Sequence, residues 1–525
     1  MSDLLDTKLE IHDSRQFELK LNYQPSGTDP ESKYDVEAWL FIPRSLNIDP
    51  HTWPRESFYA DIHNYVRLKT PVLSFDELLT GQHSPLLQLE ERLQLGLLGP
   101  ETEIVYDAKM LSCVFRGVMR RFLRGMRQEC STLTRGHEAS EHAPATSDQI
   151  VNLARTSIEA TRQVLQRFRR AVEQLSSKYT LSEKTRASLR LVDEYLSLTV
   201  EQYFRRIVVQ MDATPKSGVY VELRRELMNV VVTDENYRRI NHLRSVIEPG
   251  TDNEEYTHRV SFLKKFCMNI LFLKVARSAQ RQAWEEVLFA IAAGGAMSFA
   301  LAVGLFAQSR YPQASFNFFV IAVMGYMVKD RVKEGLRRLF AKFAGRYLYE
   351  RKTLIIDPVT QDDVGVCREK VDFAGDSMVP ADVSSVRARD DLVTVAQGEL
   401  AETVIRYRKQ ISLNSEMLPR LGDGIVTGVT DIIRFNIERL LHDMDDPEYA
   451  IEYVDLEDFS VEKLRAAKSY HLDIAFRFSI DDGKHKSCSV RMIRLVLDKN
   501  GIKRMTEIDP AVPTAQISPV PASAA

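Results

Sequence analysis

The chain has 525 residues, 44% hydrophobic and 27% charged, with a formal net charge of -3, a balance that excludes a disordered or fibrous protein. Its length exceeds the roughly 250–300 residues at which one hydrophobic core stops growing, so two or more domains are expected. Acidic ends flank a basic middle, with a net charge of -7 over residues 1–100, +8 over 101–282, +5 over 283–352 and -9 over 353–525; excesses this mild give no reason to expect nucleic-acid binding.

In residues 1–54, Phe17, Leu19, Leu21 and Tyr23 alternate with Glu18, Lys20 and Asn22. Beyond a turn-rich stretch at 25–30, Tyr34, Val36, Ala38 and Leu40 alternate again, which predicts a β-hairpin with one apolar face. Helical sequence fills residues 55–282, broken early by Pro71, Gly81 and Pro85. Over 101–128, Val114, Phe115, Val118, Met119, Phe122, Leu123 and Met126 form an apolar stripe opposite Arg116, Arg120, Arg121, Arg124 and Arg127. Residues 131–148 are small, polar and interrupted by Pro144, and read as a flexible loop. Then Ile150, Ala154, Ser157, Thr161, Val164, Phe168, Ala171 and Leu175 keep steps of four and three. Because several of these positions are Ala, Ser or Thr, the stripe suits a bundle better than a two-stranded coiled coil. Leu189, Val192, Leu196, Thr199, Tyr203 and Ile207 repeat the pattern. Helices follow over 219–246 and from Glu254, the last running on into an apolar segment.

That segment, residues 287–308, has 22 positions without a formal charge. As a helix it reaches roughly 33 Å, enough for a hydrocarbon core about 30 Å thick. A second uncharged stretch, 311–328, follows after a tight turn, and the pair predicts a transmembrane hairpin within residues 283–330. Basic residues flank both ends and only Arg310 lies in the turn, so the positive-inside rule places both termini in the cytoplasm of an inner or plasma membrane. Ala290 and Gly294, and Ala300 and Gly304, are small-xxx-small pairs that could pack the hairpin on itself or join copies. Residues 331–352 set an apolar stripe against basic residues. Lys329, Arg331, Lys333, Arg337, Arg338, Lys342 and Arg346 are the candidate contacts to anionic lipid headgroups.

Past the hairpin, 353–398 reads as loops with short strands and 404–413 as a strand. Asp423 would cap a helix whose apolar positions run from Ile425 through Val429, Ile432, Ile433, Ile437, Leu440 and Leu441 to Met444, ending at Pro447. Leu472 to Ile480 and Cys488 to Leu497 alternate as strands, with a tight turn at Asn500-Gly501. Residues 353–508 thus form an α+β domain with an antiparallel sheet, which the amino-terminal hairpin could join, and 509–525 form a disordered tail.

Catalytic motifs are lacking. His137 and His142 are five apart, which is neither zincin spacing. Gly422, Gly424 and Gly428 lack the GK[ST] ending of a phosphate loop. The five cysteines, Cys113, Cys130, Cys267, Cys367 and Cys488, contain no CxxC pair, so no disulfide framework, metal site or cofactor is called for. The expected fold is a membrane α+β protein: a central two-helix transmembrane hairpin, a cytosolic bundle of long helices, and a C-terminal antiparallel sheet domain. The expected function is a non-enzymatic membrane-anchored scaffold binding a protein partner, with an oligomeric pore built from identical chains or a membrane-surface enzyme using the C-terminal domain as alternatives.

Overall fold

A computed structural model describes residues 5–24, 31–95, 100–136, 144–212, 218–277, 280–312, 315–347, 349–358, 361–387, 402–417, 426–455, 460–481 and 486–508. In chain order they form β1 (Leu5–Asp13), β2 (Gln16–Tyr23), β3 (Glu31–Pro43), α1 (Arg55–Asp61) and β4 (Ile62–Leu68), then the helices α2 (Phe75–Thr80), α3 (Pro85–Leu95), α4 (Glu101–Gly136), α5 (Pro144–Lys178), α6 (Glu183–Asp212), α7 (Gly218–Ile240) and α8 (Glu254–Met268). Next come β5 (Lys274–Arg277), α9 (Gln280–Arg310), α10 (Phe316–Tyr347), β6 (Arg351–Ile356), β7 (Asp363–Ala374), α11 (Ala381–Arg387), β8 (Glu402–Asn414), β9 (Val429–Asn436) and α12 (Glu438–Leu441). The chain closes with β10 (Glu448–Val454), β11 (Val461–Ala467), β12 (Tyr470–Asp481), β13 (Lys486–Asp498) and β14 (Gly501–Ile508). Two compact units result. One combines Met1–Val66, Lys274–Glu416 and Thr430–Ala525; the other combines Arg67–Leu273 and Met417–Val429.

The first unit holds an eight-stranded sheet in the order β14-β13-β12-β3-β8-β7-β6-β5, a four-stranded sheet β1-β2-β9-β4, and the two-stranded ribbon β10-β11. Within the eight-stranded sheet β3 runs antiparallel to both β12 and β8, with Trp39 opposite Ala475 on one side and Arg406 on the other. The two larger sheets meet through aromatic rings. Phe435 of β9 stacks on Phe17 of β2 at 4.8 Å and approaches Tyr407 of β8 and Phe476 of β12 at 6.1 and 6.2 Å. Such offset and edge contacts add to the area these rings bury. On the other face, Trp39, Phe41, Val404 and Ala475 pack against Val383 of α11.

Three expectations are corrected. The sequence strands at 17–23 and 34–40 both form but do not pair with each other: β2 pairs with β1, Ile11 opposite Phe17, while β3 enters the eight-stranded sheet. The partner of β2 lies in residues 5–13, where Glu10, His12 and Asp13 mask the strand. The expected helix from Ile425 to Met444 is instead β9 followed by the single turn α12. Its residues are buried on both sides, so the alternation that marks a half-exposed strand is missing, and the β-branched run prefers a strand. Asp423 and Ile425, and the motif around His137, lie outside the described residues. Finally, α8 ends at Met268 and β5 intervenes before α9, so no helix runs unbroken into the apolar segment.

The second unit is helical. The seam expected on α5 is buried at Ala154, Ser157, Thr161, Val164, Phe168, Ala171 and Leu175, and the seam on α6 at Leu189, Val192, Leu196, Thr199, Tyr203 and Ile207. α6 is also the centre of a charged lattice. Arg238 is fully buried, donates to Ser197 Oγ at 2.7 Å and to the Ser245 carbonyl at 3.1 Å, and pairs with Glu201. Arg259 grips Glu194 with two bonds of 3.1 and 2.6 Å, and Arg169 bridges Asp193 and Asp234 at 2.9 and 3.0 Å. Buried charges are tolerated where each is paired and hydrogen-bonded in this way.

Candidate functional site

Gln280–Arg310 and Phe316–Tyr347 form two antiparallel helices, α9 and α10, rooted at one edge of the eight-stranded sheet. Strand β5, just before α9, pairs antiparallel with β6, just after α10, from Lys274 opposite Ile356 to Arg277 opposite Thr353. The chain therefore leaves and re-enters the sheet at neighbouring strands.

Among the described residues, Glu286–Arg310 is the one helix long and apolar enough to cross a membrane. This overturns the expected two-helix transmembrane hairpin, and the packing gives the reason. α10 does not end at 328 but continues through the basic segment to Tyr347, so only Phe316 to Val328 of it, 13 residues, precede the first charge. Its register on α9 is fixed by close approaches: a Cβ at Gly325 would come within 2.8 Å of Val303 Cγ1, one at Gly295 lies 3.5 Å from Leu336 Cδ1, and Arg337 stands 4.5 Å over the Phe289 ring. Lys329 thus comes level with about Ala300, and Lys329, Asp330, Arg331 and Lys333 line up with the middle of the apolar run of α9. Were α9 to span, these charges would sit near the bilayer centre, where each costs roughly 2.5–3.5 kcal/mol.

The surfaces of the pair divide accordingly. Ala292, Ala296 and Ala307 of α9 are buried against α10. The expected small pairs are elsewhere: Ala290 and Gly294 are exposed, Ala300 and Gly304 half-buried, and a Cβ at Gly294 or Gly304 would meet nothing within 4 Å. The packing face keeps steps of four and seven through 292, 296, 303 and 307, a signal present in the sequence and overshadowed there by the small-residue pairs. Toward the turn, large apolar side chains face outward on both helices; Phe306 is 63% and Phe316 78% exposed. Toward the sheet, Arg331, Lys333, Arg337 and Arg338 are exposed, Arg338 with Glu334 at 3.3 Å. Lys329 stands 3.9 Å over the Tyr326 ring. The side chains of Lys342 and Arg346 lie outside the described residues. Both helices are therefore apolar at the tip, while below it α10 is basic and α9 stays apolar and exposed at Val287, Ile291 and Met297.

A second concentration of functional groups lies inside the first unit. Lys409 donates to Asp431 at 2.7 Å, both side chains fully buried, and to Asn64 Oδ1 at 3.1 Å. Glu369 accepts from Asn64 and from the Tyr407 hydroxyl, both at 2.5 Å. Burial opposes the charge on Lys409, but the carboxylate of Asp431 outweighs it and holds the ammonium above its ordinary value. Burial, with Glu369 beside it, also pushes the Tyr407 phenol well up. A lysine kept protonated has no lone pair to offer as nucleophile or base.

The helical unit carries an open groove of about 720 Å³ between α4 and α6, lined by Arg127, Gln202, Arg205, Arg206, Val209 and Gln210. Arg205 is held by Glu201 at 2.9 Å, whereas Arg127 and Arg206 are exposed. Among the described residues no group of three His, Cys, Asp or Glu side chains is placed to hold a metal ion. Comparison of the chain with protein-family models, with curated proteins and with solved structures finds no match.

Proposed function

We propose that the protein is a non-enzymatic scaffold anchored at a membrane surface by the tip of the α9–α10 pair, with the chain on either side of the pair remaining on one face of the bilayer. The observation that carries this reading is the change along α10 from an outward-facing apolar tip to a basic half, on helices whose two roots share one sheet. Phe316 to Val328 reaches about 20 Å at 1.5 Å per residue, against about 15 Å for the hydrocarbon of one leaflet. Insertion to that depth buries the apolar side chains around Phe306 and Phe316 and stops with Lys329, Arg331, Lys333, Arg337 and Arg338 among the headgroups, where each basic residue contributes about 1 kcal/mol on anionic lipid.

Shared roots require an even number of crossings, and one qualifying helix supplies an odd number; insertion into one leaflet removes the conflict. A pore would need the charged half of α10 in hydrocarbon. On the scaffold reading, the arginine-lined groove between α4 and α6 fits an acidic segment of a protein partner by charge.

The test is access to the tip. The full chain carrying Ser309→Cys in a Cys488→Ser background is bound to sealed vesicles and treated with a membrane-impermeant maleimide. With the tip held in one leaflet, the introduced thiol reacts from neither side and reacts fully once detergent opens the vesicles. Labelling from the lumen overturns the reading in favour of a span, and labelling from outside in pelleted vesicles shows that the tip is not inserted.

A further inference from the structure

The ribbon β10-β11 stands apart from the two larger sheets, and its surface is unlike theirs. Every residue of β10 is exposed, and so is all of β11 except Ala466. Alternation gives the ribbon two different faces. Tyr449, Ile451 and Tyr453 share one face with Leu464, which lies opposite Ile451; Tyr453 donates to Glu462 at 2.7 Å. The other face is ionic, with Lys463 to Glu452 and Arg465 to Glu448 both at 3.4 Å. Among the described residues β10 pairs with β11 alone. A two-stranded ribbon is marginal in water unless something adds to it, and an exposed edge of alternating aromatic and β-branched residues is a template for another strand.

We propose that β10 pairs antiparallel with β10 of a second copy of this chain, across a two-fold axis at Ile451, to make a continuous four-stranded sheet β11-β10-β10-β11. The occupant is chosen by the sequence of the strand, Glu-Tyr-Ala-Ile-Glu-Tyr-Val, which sets a tyrosine two residues to either side of Ile451 on the apolar face. In this register Ile451 faces its counterpart, and Tyr449 of each copy faces Tyr453 of the other. All three cross-strand pairs on that face are then large and apolar, the kind that stabilises a ladder. On the ionic face Glu448 falls opposite Val454 and Ala450 opposite Glu452. No two like charges stand directly opposed, and each glutamate is already matched by a basic residue of its own β11.

The other edge fails the same test. Pairing β11 with itself about Leu464 would set Lys463 directly against Arg465 of the second copy. Joining β10 to the β11 of another copy gives two apolar pairs, Ile451 with Leu464 and Val454 with Val461, sets Tyr453 against Glu462, and leaves an edge open at each end, so that assembly would not close. The two-fold arrangement closes and uses the edge of each copy once.

The test is a cross-link at the axis, in the full chain with Cys488→Ser to remove the exposed native thiol. Ile451→Cys places one thiol opposite its counterpart, at a separation an antiparallel pair allows to oxidise, whereas Leu464→Cys on the outer strands keeps the thiols two strands further apart. In detergent with micelles in large excess over protein, mild oxidation is expected to convert most of the Ile451→Cys chain to a covalent dimer, at least tenfold faster than the Leu464→Cys chain. Sedimentation of the unmodified chain gives two copies, and Ile451→Lys, an exposed position whose change leaves the fold intact, gives one. Equal oxidation rates, a chain that sediments as a single copy, or a mass that keeps rising with concentration each overturn the proposal. A ribbon that instead binds zwitterionic vesicles as a single copy, and loses that binding on Ile451→Lys, assigns the apolar face to lipid and overturns it equally.

Discussion

The depth at which α9 and α10 enter a bilayer can be measured by truncating one ring at a time. Phe306 and Phe316 lie at the tip, 63% and 78% exposed, and Ile291 lies on α9 at the level of the basic half of α10, also largely exposed at 55%. Fully burying such side chains contributes about 1.5–3 kcal/mol each. Removing both Phe rings to Ala therefore costs roughly 3–4 kcal/mol of partitioning, and with about 1.4 kcal/mol per decade the affinity falls by two to three orders of magnitude. Ile291→Ala, which stays above the hydrocarbon, changes it less than about threefold. Sedimentation with sucrose-loaded zwitterionic vesicles isolates the apolar contribution from the charges. Comparable losses per side chain at Ile291 and Phe306 would refute insertion of the tip alone, and no loss at any of the three would refute membrane insertion by this element.

Arg337→Gln with Arg338→Gln removes two headgroup contacts worth about 1 kcal/mol each. Binding to anionic vesicles is expected to fall about 30-fold with no change on zwitterionic ones, and a loss on both kinds would mean that the fold had been damaged. Lys409→Met leaves Asp431 buried and unpaired, so stability by urea titration followed through tryptophan fluorescence drops by roughly 3–5 kcal/mol, most of which returns in the double variant with Asp431→Val. Burial holds the Asp431 carboxyl above its ordinary value, so without Lys409 the folded state binds the extra proton. The single variant's deficit then shrinks as pH falls toward the ordinary carboxylate range and grows as pH rises; a deficit that grew on acidification would contradict the assignment. Of the thiols, only Cys488 is exposed, while burial pushes Cys113 up to about 12 and raises Cys267 and Cys367 as well. Alkylation of the native protein at pH 8 is expected to consume about one thiol per chain, and rapid reaction of a second would show the core to be open.

Periodicity makes α5 legible because one of its faces meets water, and the seam of α6 is legible as well, although its residues 192–201 are buried all round. It misread β9, where a strand buried on both sides loses the alternation that distinguishes strand from helix, and where Asp431 is admitted only by Lys409 from β8. It also missed the pairing of β2 with β1, since the choice of strand partner is a long-range fact that no window of ten residues contains. In the helical pair, the apolar run of α9 was visible but its depth was not. That depends on which residues of α10 stand beside it, and the register follows from Gly325 against Val303 and Gly295 against Leu336, contacts that hydropathy does not encode.

The same register makes the outcome reversible by design. If charges level with the middle of α9 are what stop insertion, removing them should let the pair go through. Replacing Lys329, Asp330, Arg331 and Lys333 by Leu lengthens the charge-free part of α10 from 13 residues to about 18, or roughly 27 Å, close to the hydrocarbon thickness. The four charges at mid-depth cost on the order of 10 kcal/mol together, and their loss leaves Glu334, Arg337 and Arg338 at the near headgroups. In this variant Ser309→Cys, silent from both sides in the parent, is expected to react with impermeant maleimide from the vesicle lumen, while the roots of α9 and α10 stay paired through β5 and β6. A tip that remains silent in the variant would show that something other than these charges limits the depth, and the argument from register would fail with it.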